Sequence, residues 1–355
     1  MAQKMLMKGN EALAEAAIKA GCIHFFGYPI TPQNEIAAYM SKRLPEVEGG
    51  VYLQAESEIA SINMVMGAAA SGVRAMTSSS SPGISLMTEG ISYLAGCDLP
   101  CLIVNVQRAG PGLGGIQPAQ TDYWQATRGA GHGGSRIFVL APSSIQEMTD
   151  LVFDGFELSE KYRVPAMILS DGLLGQMMEP FSFPERDALE TDKPWALTGH
   201  SNERSHNIIN SLYLEASDLE KKNLERLERY REIERSEPRM ASYLMEDAQI
   251  ALVAYGAGAR VAGSAVDMAR EKGIKAGLMR PITLWPFPSQ LIADYAKRGL
   301  KGILTVEMSS GQMVEDVRLA VGGQLPVAFF GRTGGIVPTP DEIAGEIDKM
   351  AEGIE

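Results

Sequence analysis

Two charged residues in this sequence are candidates for chemistry: Glu58, where a predicted helix begins, and Arg108, where a predicted strand ends. Glu58, in Glu56-Ser-Glu58, opens a predicted helix that is otherwise apolar and therefore buried. A buried carboxyl group must be hydrogen-bonded or protonated, so Glu58 is a candidate acid or base. Arg108 ends the most apolar predicted strand and precedes a glycine-rich stretch, which suits recognition of a carboxylate ligand. Structural interpretations stand beside these: Glu58 as a helix cap, and Arg108 as a member of an ion pair.

A loop with two prolines, Tyr28-Pro29-Ile30-Thr31-Pro32, follows a short predicted strand. Each proline fixes φ and removes a backbone donor, so the loop is held in one shape. In open α/β sheets, ligands bind at the carboxyl ends of the strands, which is where this loop falls. Thr31 is therefore a candidate ligand contact, with a helix N-cap as the alternative role.

Other stretches carry weaker signals. Gly256-Ala-Gly258 lies between a predicted strand and a predicted helix, but it lacks the third glycine of a dinucleotide fingerprint, which favours a tight turn. His132, in a glycine-rich loop, is a further site candidate. The four histidines and three cysteines show neither metal-ligand spacing nor a disulfide framework. We expect no metal ion and no iron–sulfur cluster on this chain.

Composition excludes several classes of protein. The 355 residues carry a formal net charge of -12, which disfavours binding to a nucleic-acid backbone. A small anionic substrate would need a local cationic pocket. No apolar run approaches the ~20 residues of a membrane span. With few cysteines and no predicted span, we expect a cytoplasmic protein that binds neither nucleic acid nor membrane.

Helical and strand patterns alternate along the chain and predict an α/β fold with two open, mostly parallel sheets. Residues 1–184 form the first predicted domain, and residues 247–355 form the second. Between them, residues 185–246 are predicted to be a linker that contains a solvated, highly charged helix after Leu214.

Taken in order, these stretches resemble the subunit of 2-oxoacid:ferredoxin oxidoreductases that carries a pyrimidine-binding domain for thiamine diphosphate. The resemblance implies that this domain is followed by a transketolase C-terminal-like domain. It runs from the first helix nearly to the end of the chain and is carried by Gly27-Tyr-Pro-Ile-Thr-Pro32, Glu56-Ser-Glu58, Ser81-Pro-Gly83, Arg108, Glu307-Met-Ser-Ser-Gly-Gln-Met313 and Gly331-Arg-Thr-Gly-Gly335.

The resemblance assigns roles to individual residues. It implies that Glu58, rather than Glu56, hydrogen-bonds N1′ of the aminopyrimidine ring and favours its imino tautomer. Thr31 and Ile30 would lie beside the 2-oxoacid, and Arg108 would bind its carboxylate. The cofactor contacts implied are Tyr28, Pro29, Glu58, Ser81 and Gly83.

The motif that holds diphosphate and magnesium in thiamine enzymes, Gly-Asp-Gly followed by a later Asn, has only a partial counterpart in Ser170-Asp-Gly172. The resemblance therefore implies that a beta subunit holds the diphosphate and Mg²⁺. Gamma and ferredoxin-like delta subunits would complete the enzyme, with [4Fe-4S] clusters on the partner subunits, coenzyme A as co-substrate and ferredoxin as acceptor. Purified alone, this chain is expected to bind thiamine diphosphate poorly and not to turn over.

The substrate is predicted from residues 114–127, which are similar to the branched-chain type that acts on 3-methyl-2-oxobutanoate. Subunits specific for 2-oxoglutarate differ here, because Ala119 and Tyr123 replace their usual residues. The alternatives are a 2-oxoglutarate enzyme, then pyruvate or aryl substrates. Two further hypotheses are a 2-oxoacid dehydrogenase or transketolase-like subunit, and a non-catalytic assembly subunit.

Overall fold

The computed structural model describes residues 4–186 and 191–353. The predicted domain ranges also include residues 1–3, 187–190 and 354–355, which lie outside the described residues. In the described part, the strands are β1 (Met5–Lys8), β2 (His24–Gly27), β3 (Val51–Gln54), β4 (Ala75–Ser79), β5 (Leu102–Gln107), β6 (Phe138–Leu140), β7 (Ala166–Asp171), β8 (Met178–Phe181), β9 (Met240–Tyr243), β10 (Ile250–Val253), β11 (Ala276–Pro281), β12 (Thr283–Trp285), β13 (Gly302–Glu307) and β14 (Val327–Gly331).

Helices alternate with these strands, as the sequence pattern predicts. They are α1 (Gly9–Lys19), α2 (Asn34–Arg43), α3 (Glu58–Ala70), α4 (Ser81–Gly96), α5 (Tyr123–Thr127), α6 (Ile145–Tyr162), α7 (Gly172–Gln176), α8 (Ala216–Ser236), α9 (Gly256–Glu271), α10 (Ser289–Ala296), α11 (Met313–Val321) and α12 (Pro340–Glu352), with a short 3-10 helix at Leu44–Glu46.

A seven-stranded sheet forms the first layer, in the order β12-β6-β7-β5-β4-β2-β3. All its neighbouring pairs are parallel except β12 with β6. Every residue of β4, β5 and β7 is buried, as expected for central strands covered on both faces. Helices α3 and α4 pack together, and so do α1 and α6.

A five-stranded sheet follows, in the order β14-β13-β10-β11-β9. It is parallel except for β9, which pairs antiparallel with β11. Helices α9 and α12 pack together beside it. Two open, mostly parallel sheets with intervening helices confirm the predicted α/β class.

Three strands lie outside this simple alternation. β1 and β8 form a separate antiparallel ladder, and β12, from late in the chain, extends the first sheet by pairing with β6.

In the charged helix α8, Tyr230 and Ile233 are the buried residues, and the Tyr230 ring packs edge-on against Trp285. The boundaries at 184 and 246 stay a prediction.

Within the described residues, the structure contains no helix with the length and apolar composition needed to cross a bilayer.

Candidate functional site

The candidate site lies along one edge of the first sheet. Strands β5, β4, β2 and β3 are neighbours in that order and run parallel. Their carboxyl ends therefore share an edge, and the segments that follow them carry Arg108, Ser80, Thr31 and Glu58 in turn. Parallel pairing is the reason that residues far apart in the sequence meet here.

Glu58 is the first residue of α3 and is only 5% exposed. The cap of that helix is Ser57, whose hydroxyl accepts a hydrogen bond from the Ala60 N–H at 3.2 Å, so the interpretation of Glu58 as the cap is wrong. Among the described residues, no hydrogen bond or ion pair reaches the Glu58 carboxylate. With no protein partner among the described residues, the Glu58 carboxylate is available to a ligand.

Gly83, in the first turn of α4, packs against this carboxylate. A Cβ atom at position 83 would lie 2.5 Å from Oε1 of Glu58 and 2.0 Å from Oγ of Ser79. Only glycine permits so close an approach. We call Glu58, Ser79 and Gly83 the Glu58 cradle.

Arg108 follows β5 and is 8% exposed. Its guanidinium donates to the carbonyl oxygen of Thr31 at 3.0 Å and to that of Leu113 at 3.4 Å, while its buried Nε has no partner among the described residues. The guanidinium therefore joins the proline loop to the glycine-rich loop through backbone carbonyls, and the interpretation of Arg108 as an ion-pair residue is not supported.

Thr31 does not cap α2, because the N-cap position is Gln33. Its Oγ1 accepts from Nδ2 of Asn34 at 3.2 Å.

The remaining predicted residues lie on the outside of the proline loop. Tyr28 is 36% exposed, Pro29 is also exposed, and Ile30 is half-buried. The loop is held from its inner side by Gln33, whose Nε2 donates to the Tyr28 carbonyl at 3.0 Å and whose Oε1 accepts from Ser78 at 2.6 Å. The structure thus brings Thr31, Ser81 and Arg108 together, and it brings Glu58 against Gly83.

Ser81 connects Arg108 to residues that sequence reasoning missed. Its hydroxyl accepts from the Arg108 N–H at 3.0 Å, and its own N–H donates to Oδ1 of Asn105 at 3.1 Å. Nδ2 of Asn105 in turn donates to Asp122 at 2.9 Å. Burial raises the pKa of Asp122, although Ser81, Asn105 and Arg108 each lower it. A polar Asn in the buried strand β5 is the sequence signal that would have identified this network.

The cradle fits a ring that offers hydrogen-bonding nitrogens. Glu58 presents an unpartnered carboxylate, Gly83 leaves room beside it, and the hydroxyls of Ser79 and Ser80 are buried without partners among the described residues. A cavity of about 950 Å³ lies elsewhere, lined among others by Arg136, Arg235 and Trp285, and its lining includes none of the predicted site residues.

Comparison with known proteins agrees with this geometry. Residues 15–242 match the family model described as pyruvate flavodoxin/ferredoxin oxidoreductase, thiamine diphosphate-binding, and residues 248–343 match core domain II of pyruvate:ferredoxin oxidoreductase. The ketoisovalerate oxidoreductase subunit VorB of Methanothermobacter marburgensis is 52% identical over 96% of this chain and 98% of its own length. The chain belongs to this oxidoreductase family.

Two further relatives support the assignment. The 2-oxoglutarate synthase subunit KorA of Methanothermobacter thermautotrophicus is 37% identical over 99% of this chain and all of its own length (100%). A solved 2-oxoglutarate:ferredoxin oxidoreductase from Magnetococcus marinus, with 2-oxoglutarate, coenzyme A and succinyl-CoA bound, superimposes with a TM-score of 0.86 at 27% identity. This match covers 99% of our chain and 65% of the other. The chain is therefore an oxidoreductase subunit of the 2-oxoacid:ferredoxin type, from an enzyme of several subunits.

In this oxidoreductase subunit, Ser170-Asp-Gly172 has a structural role. Asp171 caps α7 by accepting from the N–H groups of Leu173 and Leu174 at 2.9 and 3.1 Å, and it also accepts from the N–H of Ala257 at the start of α9. Burial raises its pKa to about 6. A dinucleotide phosphate would bind at the N-terminus of α9, but that position is occupied by the carboxylate of Asp171, the last residue of β7.

The glycines at the start of α9 make room for Gln120. Its Nε2 donates to the Tyr255 carbonyl at 2.8 Å, its Oε1 accepts from the Met308 N–H at 3.0 Å, and a Cβ at Gly256 or Gly258 would lie 3.1 or 3.0 Å from its amide. The structure therefore favours the tight-turn interpretation of Gly256-Ala-Gly258 over a dinucleotide site.

Glu307, the first residue of the motif Glu307–Met313, anchors a helix. Its buried carboxylate accepts from the N–H groups of Gln312, Met313 and Val314, at 3.0 to 3.2 Å, and from the Ser309 hydroxyl at 2.9 Å. It lies at the N-terminus of α11, where a negative charge is stabilised by the helix dipole.

His132 is exposed, and its ring packs edge-on against Tyr93, so no described contact places it in the candidate site.

Proposed function

We propose that this chain supplies the activating acid and the substrate carboxylate contact of a 2-oxoacid:ferredoxin oxidoreductase acting on 3-methyl-2-oxobutanoate. The observation that carries the proposal is the Glu58 cradle, a buried and unpartnered carboxylate against a glycine at the carboxyl edge of a parallel sheet. When bound, thiamine diphosphate supplies the nucleophilic carbon and the electron sink for decarboxylation.

Glu58 would hydrogen-bond N1′ of the aminopyrimidine ring when the cofactor is bound. Low local polarity strengthens this hydrogen bond, because burial removes competing water. Arg108 binds the substrate carboxylate, and Thr31 contacts the 2-oxo group from the proline loop. Ser81 and Gly83 shape the wall beside the ring, and Tyr28, Pro29 and Ile30 form the outer rim of the same site.

Partner subunits complete the site. Ile59, next to Glu58, is 50% exposed, and Leu86, one turn after Gly83, is 51% exposed, so apolar surface surrounds the cradle. We propose that a beta subunit covers it and holds the diphosphate and Mg²⁺, and that gamma and ferredoxin-like delta subunits carry the [4Fe-4S] clusters to ferredoxin. Coenzyme A is the proposed acceptor of the acyl group. A cytoplasmic location agrees with the three cysteines, all of which are free.

The substrate proposal rests on the ketoisovalerate relative, which is more similar to this chain than the 2-oxoglutarate relative is. Ketoisovalerate is 3-methyl-2-oxobutanoate. Acyl-CoA formation by the assembled complex should therefore show its highest kcat/KM with this acid. A higher value with 2-oxoglutarate would overturn the substrate assignment while leaving the role of Glu58 in place.

Glu58→Gln tests the catalytic role in the assembled complex. Losing the proton that Glu58 exchanges should lower kcat by about 10²–10⁴-fold. Glu56→Gln is the matched control, because Glu56 is the exposed acid two residues earlier and should leave kcat unchanged. Equal activity of the two variants would contradict the proposal, as would robust decarboxylation by this chain in isolation.

A further inference from the structure

Asp122 stands at the start of α5 but does not cap it. It occupies the N-cap position, and its side chain makes no capping hydrogen bond. Asp is a favoured N-cap residue, and this side chain forgoes that role. Its carboxylate instead accepts from Nδ2 of Asn105 at 2.9 Å and lies beside the Ser81 hydroxyl. The side chain is turned from its own helix toward the wall of the candidate site.

The backbone around Asp122 is fixed from two directions. The Asp122 N–H donates to Oε1 of Gln107 in β5 at 3.2 Å. The next residue, Tyr123, donates from its hydroxyl to Asp316 in α11 at 2.6 Å. Asp122 is 8% exposed, so its carboxylate is anchored in a dry environment in which hydrogen bonds are strong and directional.

A continuous chain of hydrogen bonds leads from this carboxylate to Arg108. Asp122 orients the Asn105 amide, so that its Oδ1 faces the Ser81 N–H. The Ser81 hydroxyl then accepts from the Arg108 N–H at 3.0 Å and donates to the Arg108 carbonyl at 3.2 Å. Burial raises the pKa of Asp122 and the charge of Arg108 acts against that rise, so the two ends of the chain interact electrostatically.

We propose that Asp122 is a positioning residue that acts through Asn105 and Ser81 to hold Arg108 in place for the substrate carboxylate. This inference rests on the proposed function, because it assigns Arg108 to the substrate. Asp122 itself does not touch the 2-oxoacid. The chain ends on the backbone N–H and carbonyl of Arg108, and a charged residue whose backbone is anchored in this way is pre-organised, so less of the binding energy is spent on orienting it.

The test uses the assembled complex with Asp122→Ala and Asp122→Asn. Asparagine retains an acceptor for the Asn105 amide, whereas alanine does not. Asp122→Ala should raise KM for 3-methyl-2-oxobutanoate by about tenfold and leave kcat within about threefold. Asp122→Asn should stay within about threefold of wild type in both. A loss of folded protein would lower kcat and leave KM unchanged. A raised KM at nearly constant kcat therefore distinguishes a positioning role from simple destabilisation.

Calorimetric titration of the acid into thiamine-free complex gives a readout besides turnover, and Kd should rise with KM for Asp122→Ala. If that variant does not fold, Asn105→Ala breaks the same chain one step later and should show the same rise. Asp150→Ala, a half-buried acid on α6, is the control.

An unchanged KM and Kd in Asp122→Ala would overturn the inference, as would an Asp122→Asn variant as impaired as the alanine. If the wild-type complex binds no 2-oxoacid, the proposed function itself is wrong.

Discussion

Gly83→Ala tests the geometry of the Glu58 cradle more sharply than removal of the acid does. The new Cβ would lie 2.5 Å from Oε1 of Glu58, whereas ordinary contact begins at 3.4 Å. The carboxylate must therefore move by about 0.9 Å and the Ser79 hydroxyl, which the Cβ would approach to 2.0 Å, by about 1.4 Å, unless α4 itself shifts. A misplacement of about 1 Å at a reacting group costs about 100-fold in rate, which corresponds to about 2.7 kcal/mol.

The assay is kcat of the assembled complex with 3-methyl-2-oxobutanoate, alongside denaturant unfolding of the same preparations. We expect Gly83→Ala to lose about 100-fold in kcat and about 1–3 kcal/mol in the free energy of unfolding, from overpacking. Gly345→Ala is the matched control, because a Cβ at that helical glycine in α12 would meet no atom within 4 Å, so the variant should gain stability at constant kcat. A fully active Gly83→Ala would refute the close packing of Glu58 against α4.

Two further predictions concern buried carboxylates. Glu307→Gln removes an acceptor from N–H groups at the start of α11 and should lower the free energy of unfolding by about 2–3 kcal/mol, measured by urea unfolding, while the exposed Glu315→Gln should change it little. Burial raises the pKa of Asp171 from 3.8 to about 6, so the folded chain keeps a proton that the unfolded chain releases between these values. The contribution of this proton to the free energy of unfolding is therefore full below pH ~4 and is lost as the pH rises through about 6. Asp171→Asn should flatten that part of the pH profile of unfolding, and an unchanged slope would show that Asp171 is not the group responsible.

Local patterns in the sequence were sufficient for most of the two sheets. Mostly apolar runs such as residues 100–106 predicted the buried parallel strands, and the structure has that strand at Leu102–Gln107, because strands covered on both faces need apolar side chains. Three of the strands that were missed, β1, β8 and β12, are short and pair over long distances. β1 pairs with β8 some 170 residues later in the chain, and β12 joins a sheet formed by the first half of the chain. No local pattern encodes such a partner.

The motifs indicated Glu58, Thr31 and Arg108 as site residues, and the structure places each at the predicted edge of the sheet. Their contacts were not readable from the motifs. These contacts depend on how α3, α4 and the two loops pack. Packing decides that Arg108 contacts backbone carbonyls and that Gly83 lies against the Glu58 carboxylate. It also decides that neither Glu58 nor Thr31 caps a helix.

The sequence by itself determined the fold class, the family and the residue types available at the site, since these follow from periodicity and from motifs within short stretches. Only the tertiary structure decided that Asp122 turns from its own helix toward Asn105, and that Asp171 and Gln120 fill the start of α9. Those outcomes arise where segments from different parts of the chain exclude water together. There, each buried polar group must bond whichever partner the packing brings within reach.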